Sequence, residues 1–216
     1  SVTGGVVLSP GMDGCSIVRV PANTPTYAIG RSGQTTGLNR VDRLDSTGLI
    51  ASGFDELAGL SSGRVVEFVS NSTHVWVAST FDSNSFYATS ILQGSILQNG
   101  SVRWEYGYNL LDDDVINSML LDGEKMWVTT AGRGLYSIDL AQRSYAPSAP
   151  ALHGQMDGMI LDSDDGMLYV GLMGNQGSAA GFQTFDTSTN SWGDGSLLAG
   201  LPNDIVQDFV ALGDKI

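Results

Sequence analysis

The chain has very few of the residues that build metal centres and covalent cross-links. Cysteine occurs once, at Cys15, and histidine occurs twice, at His74 and His153, in 216 residues. One cysteine excludes an internal disulfide and any zinc site made from a cysteine pair. We expect Cys15 to be a buried structural thiol. The two histidines fall at different positions of the repeat described below, so we do not expect them to act together in metal binding or catalysis.

Positive charge is also scarce. Lysine and arginine total 10 against 23 aspartates and glutamates, which gives a formal net charge of −13. Nucleic acids and anionic lipids are bound by clustered cations, so this composition argues against both partners. No stretch approaches the roughly 20 apolar residues of a membrane span, and we expect no membrane insertion. The acidic composition favours an extracellular, periplasmic or cell-surface location.

Glycine is abundant, with 28 residues, and an aromatic–apolar pair recurs along the chain. The pair lies early in a predicted strand at Tyr27-Ala28, Trp76-Val77, Trp127-Val128 and Tyr169-Val170, with spacings of 49, 51 and 42 residues. Repeats of this length that are rich in short strands are typical of β-propellers. The sequence therefore predicts an all-β propeller with about four four-stranded blades and part of a fifth, forming a partial ring.

The predicted repeats lie within one domain and cover residues 15–56, 64–110, 115–153 and 157–200, with a truncated copy at 205–216. In the third repeat we predict strands at 115–121, 126–129, 135–139 and 143–147. In the fourth we predict strands at 156–161, 167–172, 181–186 and 191–192. The second repeat carries an apparent insertion at 81–99, which obscures the register of its outer half.

Four segments resemble the two-component regulator propeller repeat. They are Leu201-Pro202-Asn203-Asp204, the Asp162-to-Gly166 turn, Trp127-Val128-Thr129-Thr130 and Gly134-Leu135-Tyr136-Ser137-Ile138-Asp139. The family unit has a Leu-Pro-Asn entry, an Asp-Gly turn, a Trp-Val-Gly-Thr strand and a Gly-Gly-Leu strand. Thr129 departs from it by replacing the glycine after Trp-Val. The resemblance covers residues 60–216 best and implies a propeller fold. No kinase or DNA-binding segment accompanies it, so it implies no signalling role.

In a propeller, the loops that enter the first strand of each blade share one face with the connections between second and third strands. By analogy with other propellers, we expect this face to bind a ligand. The predicted ligand-binding residues are Arg31, Gln34, Asp112, Asp113, Asp114, Arg133, Asn175, Gln176, Asn203 and Asp204. The alternative interpretation is that these are ordinary solvated loop residues.

No cofactor or metal site is expected, although two acidic segments could be considered as calcium sites. Asp112, Asp113 and Asp114 could attract calcium, which prefers oxygen ligands. Consecutive residues rarely all face one ion, so we favour a plain solvated turn. The segment from Asp162 to Gly166 superficially resembles a calcium loop, but Met173 stands where a glutamate is needed. We therefore interpret it as a hairpin turn.

Several residues recur for reasons of structure. Asp42, Asp139 and Asp186 are predicted to cap turns at the ends of third strands. The aromatic residues Trp76, Trp127 and Tyr169 are predicted to pack in the core or between blades, whereas Trp104 and Trp192 are weaker core candidates. The segments Asn71-Ser72-Thr73 and Asn99-Gly100-Ser101 are glycosylation sequons in predicted turns or loops.

These features favour a non-enzymatic binding or interaction module of a secreted or surface protein, such as the sensor part of a larger chain. Its expected partners are a polar small molecule, a glycan or a protein. Two alternatives stay open. One is a polysaccharide hydrolase or lyase that uses Asp113, Asp114 or Asp204 as acid and base. The other is a structural module that self-associates through open blade edges.

Overall fold

The structure, a computed structural model, describes residues 17–21, 25–32, 39–44, 50–53, 64–83, 86–97, 102–112, 115–148, 156–162, 164–172, 181–193, 196–197, 206 and 209. Every regular element in these ranges is a β-strand. The chain divides into two compact units, residues 1–113 and 114–216, and each is described by itself.

The first unit contains two antiparallel sheets, each with its four strands in chain order. Blade 1 consists of β1 (Ile17–Pro21), β2 (Pro25–Ser32), β3 (Asn39–Leu44) and β4 (Ile50–Gly53). Blade 2 consists of β5 (Arg64–Ser70), β6 (His74–Ser83), β7 (Phe86–Ile96) and β8 (Val102–Asp112). The first strand of blade 2, β5, lies against β1 and β2 of blade 1.

The second unit repeats this plan. Blade 3 consists of β9 (Ile116–Asp122), β10 (Lys125–Thr130), β11 (Gly134–Asp139) and β12 (Ser144–Pro147). Blade 4 consists of β13 (Met156–Asp162), β14 (Met167–Leu172), β15 (Gly181–Asp186), β16 (Ser191–Trp192) and β17 (Ser196–Leu197). Both β16 and β17 pair antiparallel with β15, at opposite ends of that strand. Four-stranded antiparallel sheets in chain order are the blades of a β-propeller, as predicted.

Glycines with positive φ angles form the turns between the first and second strands of blades 3 and 4. Gly123 and Gly166 have φ angles of 59° and 73°, in the left-handed region that a side chain disfavours. Asp162 accepts hydrogen bonds at this turn: its Oδ1 from the Asp164 backbone N–H at 3.0 Å and its carbonyl oxygen from the Gly166 N–H at 2.9 Å. The interpretation of the Asp162-to-Gly166 segment as a hairpin turn is confirmed.

The core of the second unit lies between blades 3 and 4. Trp127 of β10 is 1% exposed and meets Phe185 of β15 edge-on, with ring centroids 5.4 Å apart. Phe185 in turn meets Trp192 of β16 at 4.9 Å. The buried members of this cluster are Trp127, Leu135, Met156, Met159, Leu168, Val170, Leu172 and Phe185. A polar link crosses the same interface, because the Asn117 Nδ2 donates to the Met156 carbonyl oxygen.

The recurring tryptophans are core residues, as predicted. Trp76 is buried in blade 2 with Val77, and its indole Nε1 donates to the Gln93 Oε1 at 3.1 Å. Trp192 is half-buried and packs against Phe185. It therefore contributes more to the core than its outer position in the blade suggested. The Trp104 side chain lies outside the described residues.

Two features of the first unit differ from expectation. Within the apparent insertion at 81–99, residues 81–83 end the long strand β6 and residues 86–96 form β7, which pairs with the equally long β8. Asp42 is not at the end of β3 but inside it, opposite Ile29 and Gly53. The reason is register: Tyr27 pairs with Leu44, so the strand continues two residues beyond Asp42.

Candidate functional site

The turn between β10 and β11 lies at the end of blade 3 where the chain enters the blade. The Ala131 backbone N–H donates to the Val115 carbonyl oxygen at 2.9 Å, directly before β9 begins. This bond joins the turn to the segment that follows Asp112 to Asp114 in sequence. For blade 3, therefore, the entry segment and the turn between second and third strands share one end of the sheet.

The Thr130 hydroxyl fixes this turn, because it forms hydrogen bonds to two of the turn's backbone groups. The buried Thr130 hydroxyl donates to the Gly134 carbonyl oxygen at 3.0 Å and accepts a bond from the Arg133 backbone N–H at 3.1 Å. Gly134 has a φ of 89°, a conformation that suits glycine. The backbone is thus fixed, and the Arg133 side chain is exposed to solvent. An exposed cation on a fixed turn is a suitable contact for a carboxylate, phosphate or polar hydroxyl group.

The opposite end of the blades is occupied by aspartates that bond to their own turns. The Asp186 Oδ1 accepts from the Ser188 N–H at 2.8 Å, the Ser188 hydroxyl at 2.6 Å and the Thr189 N–H at 3.2 Å. These bonds, led by the one from the Ser188 hydroxyl, lower the pKa of Asp186 from its ordinary 3.8 to about 2. The Asp139 Oδ1 accepts from the Gln142 N–H at 2.7 Å. The predicted turn-capping role is confirmed for Asp139 and Asp186.

Of the predicted ligand-binding residues, the structure describes the side chain of Arg133 alone. Arg31 and Asp112 lie in β2 and β8, but their side chains are outside the described residues. The remaining predicted residues are also outside them: Gln34, Asp113, Asp114, Asn175, Gln176, Asn203 and Asp204. The same holds for Cys15 and His153.

Sequence reasoning missed two polar side chains inside the blades. Gln183 is 1% exposed in β15, and its Nε2 donates to the Gly193 carbonyl oxygen at 3.2 Å. Its position could have been predicted, because the buried residues Gly181, Gln183 and Phe185 alternate with half-buried positions along one strand. Asn117 was missed as well, and no spacing in the sequence reveals that it reaches the backbone of the next blade.

Two further findings concern metal binding and the membrane, within the part of the chain that the structure describes. Among the side chains described there, no three His, Cys, Asp or Glu residues are grouped so that they could bind a metal ion. Within the same ranges, no helix is long and apolar enough to cross a membrane.

No protein-family model matches the chain, and no curated protein matches it by sequence. Solved structures do. The chain is similar to the Dos1 propeller, with a TM-score of 0.59 at 10% identity, over 85% of this chain and 45% of that one.

Two further structures are similar at the same level. One is the extracellular domain of a one-component system from B. thetaiotaomicron, with a TM-score of 0.53 at 14% identity, over 82% of this chain and 21% of that one. The other is described as a 6-phosphogluconolactonase from Bacteroides uniformis, with a TM-score of 0.55 at 11% identity, over 82% and 54%. The chain thus spans about half or less of each structure it resembles, and at these identities the likeness shows the fold alone. That fold is a β-propeller.

Proposed function

We propose that this chain is a non-enzymatic binding module of a secreted or surface propeller protein, with its ligand at the end of the blades that carries Arg133. One observation carries the proposal. The Ala131–Val115 hydrogen bond places a fixed turn with an exposed arginine beside the entry segment of blade 3. The opposite end of the same blades presents aspartates whose bonds are directed to their own turns.

The chemistry of this end suits a polar ligand that is rich in hydroxyl groups, such as a glycan with an isolated carboxylate. Arg133 supplies a planar cation that can bind a carboxylate through two hydrogen bonds. The nearby sequence Asp112 to Asp114 supplies acceptors for sugar hydroxyls. The extracellular domain of a one-component system among the similar structures supports a location outside the cytoplasm.

The test is a glycan array probed with the whole chain, followed by titration of each bound glycan. We expect R133A, D113N and N175A to weaken binding without changing thermal stability. R143A is the matched control, because Arg143 is also an exposed arginine of blade 3 but lies in the turn between β11 and β12. Equal weakening by R133A and R143A, or unchanged affinity in all three test variants, would contradict the proposed face.

Two other outcomes would redirect the assignment. Turnover of a glycan that is lost in D113N would favour the polysaccharide hydrolase or lyase. Concentration-dependent assembly in light scattering, without glycan binding, would favour the structural self-associating module.

A further inference from the structure

The turn between β5 and β6 of blade 2 has the sequence Asn71-Ser72-Thr73, followed by His74. The Asn71 Oδ1 accepts three hydrogen bonds: from the Thr73 backbone N–H at 2.9 Å, the Thr73 hydroxyl at 3.0 Å and the His74 backbone N–H at 2.8 Å. The side-chain carbonyl of Asn71 therefore holds the turn together. Within the described residues, none of these bonds uses the Asn71 Nδ2.

The Thr73 hydroxyl is oriented from its other side by His74. The His74 Nδ1 lies 2.8 Å from the Thr73 Oγ1. Since the hydroxyl has one proton and donates it to Asn71, the His74 Nδ1–H donates to the hydroxyl oxygen. Ser72 and Thr73 are exposed, and Asn71 is half-buried. The sequon is thus at the surface, with its hydroxyl fixed next to the asparagine amide.

The equivalent turns of blades 3 and 4 carry aspartate at this position, namely Asp122 and Asp162. Asp162 does the same structural work as Asn71, because its Oδ1 accepts from the Asp164 backbone N–H. An aspartate would therefore be sufficient for the turn in blade 2. The asparagine adds an amide nitrogen, which this turn does not need for its described bonds, and the threonine completes an Asn-X-Thr acceptor.

From these observations we propose that Asn71 is an N-glycosylation site. The donor class is an oligosaccharide on a polyprenyl diphosphate, and the enzyme class is an oligosaccharyltransferase. Sugar C1 forms a bond to the Asn71 Nδ2 as the bond from C1 to the diphosphate oxygen breaks. The electron pair of that bond leaves with the polyprenyl diphosphate, and the amide nitrogen releases one proton. Every described bond of the Asn71 side chain survives, because each one ends on Oδ1.

This inference shares with the proposed function only the location outside the cytoplasm. The test supplies that location by expressing the whole chain with a secretion signal in eukaryotic cells. All variants carry N99D, which removes the second sequon, and a carboxyl-terminal Asn-Ala-Thr tag, whose modification reports that the chain has met the transferase. The readout is intact mass before and after peptide N-glycosidase treatment, with the modified residue located by peptide mapping.

We expect Asn71 to carry a glycan in the parent chain, in S72A and in T73S. We expect complete loss of that glycan in T73A and in N71D. N71D is the matched control for folding, because it restores the residue type of blades 3 and 4 and should keep the thermal midpoint of the unglycosylated chain. A secreted chain with a glycosylated tag and an unmodified Asn71 would overturn the proposal. It would leave the ligand-binding test with R133A unaffected.

Discussion

Blades 3 and 4 have the same plan but treat their aromatic anchors differently. Trp127 in β10 and Tyr169 in β14 occupy equivalent places on the second strand, opposite Ser137 and Thr184. Trp127 is 1% exposed because β15 of blade 4 covers it. Tyr169 is half-buried and meets Phe182 of its own blade at 5.8 Å. The burial of Trp127 thus involves an aromatic ring of the next blade, whereas the ring that meets Tyr169 belongs to the same blade.

Blades 3 and 4 also differ two residues after the aromatic anchor. Blade 3 has Thr129 after its aromatic–valine pair and blade 4 has Gly171. A Cβ on Gly171 would collide with the backbone carbonyl of Val206. Phe209 also meets Phe182 edge-on, with ring centroids 6.2 Å apart. Val206 and Phe209 therefore lie on the face of blade 4 that corresponds to the Trp127 face of blade 3.

The largest expected effect comes from removing the covered anchor. We expect W127A to lower the free energy of unfolding by about 3–5 kcal/mol, because a buried indole is lost and a cavity remains. Y169A should cost roughly 1–2 kcal/mol, because less of that ring is buried. Urea denaturation of both variants measures the difference. Equal losses of unfolding free energy would contradict the idea that packing against the following blade sets how much the anchor stabilises the chain.

A second effect tests the close approach at Gly171. We expect G171A to cost about 1–3 kcal/mol, since the Val206 backbone must move to admit the methyl group. The control is a double-mutant cycle with a chain that ends at residue 204. The cost of G171A should disappear in the shortened chain, and an unchanged cost there would place the strain elsewhere.

A third effect compares the capping aspartates of the two blades. Asp186 accepts three bonds and Asp139 accepts one from its turn, so we expect D186N to lower the urea midpoint more than D139N. The folded pKa of Asp186 is about 2, below its ordinary 3.8. Its stabilising contribution is therefore present above about pH 4 and is lost as the pH falls toward 2.

The measurement is the urea midpoint between pH 5 and pH 2. D186N should show a shallower fall than the parent chain over this window. Identical pH profiles for the two proteins would contradict the role assigned to the carboxylate.

The smallest effect concerns the turn that follows each cap. Arg143 in blade 3 and Asn190 in blade 4 both have positive φ, 56° and 54°. Asparagine tolerates this conformation better than arginine, so we expect R143N to stabilise the chain by about 0.5–1 kcal/mol. Thermal denaturation measures the gain. A loss in R143N would mean that contacts of the arginine side chain outweigh the backbone preference.

Local chemistry explains how much of the fold could be predicted. The bounds of β14, β15 and β16 were predicted to the residue, because turn residues mark several of their ends: Asp165-Gly166 before β14, and Thr187 to Asn190 between β15 and β16. Blade 2 was harder, because β7 and β8 are long and their register shifts at Thr89/Ser90 and at Gln93/Gly94. Such bulges break the two-residue period on which sequence reasoning depends.

The candidate site could be predicted only as a set of loops. Topology places the entry segment and the β10–β11 turn at one end of blade 3, and the Ala131–Val115 bond agrees with that. The role of Thr130 in fixing the turn could not be read from the sequence, because a threonine in a strand is ordinary. Binding by Arg133 and by the other predicted residues stays a prediction.

The chain of rings from Trp127 through Phe185 to Trp192 has a consequence for how the second unit comes apart. Strand β16 has two residues, and its Trp192 packs against Phe185, which in turn packs against Trp127 of blade 3. In a repeat protein, stability is shared between nearest neighbours. Weakening the packing around Trp127 should therefore also destabilise β16 at the outer edge of blade 4. We expect the two blades to unfold as one cooperative unit.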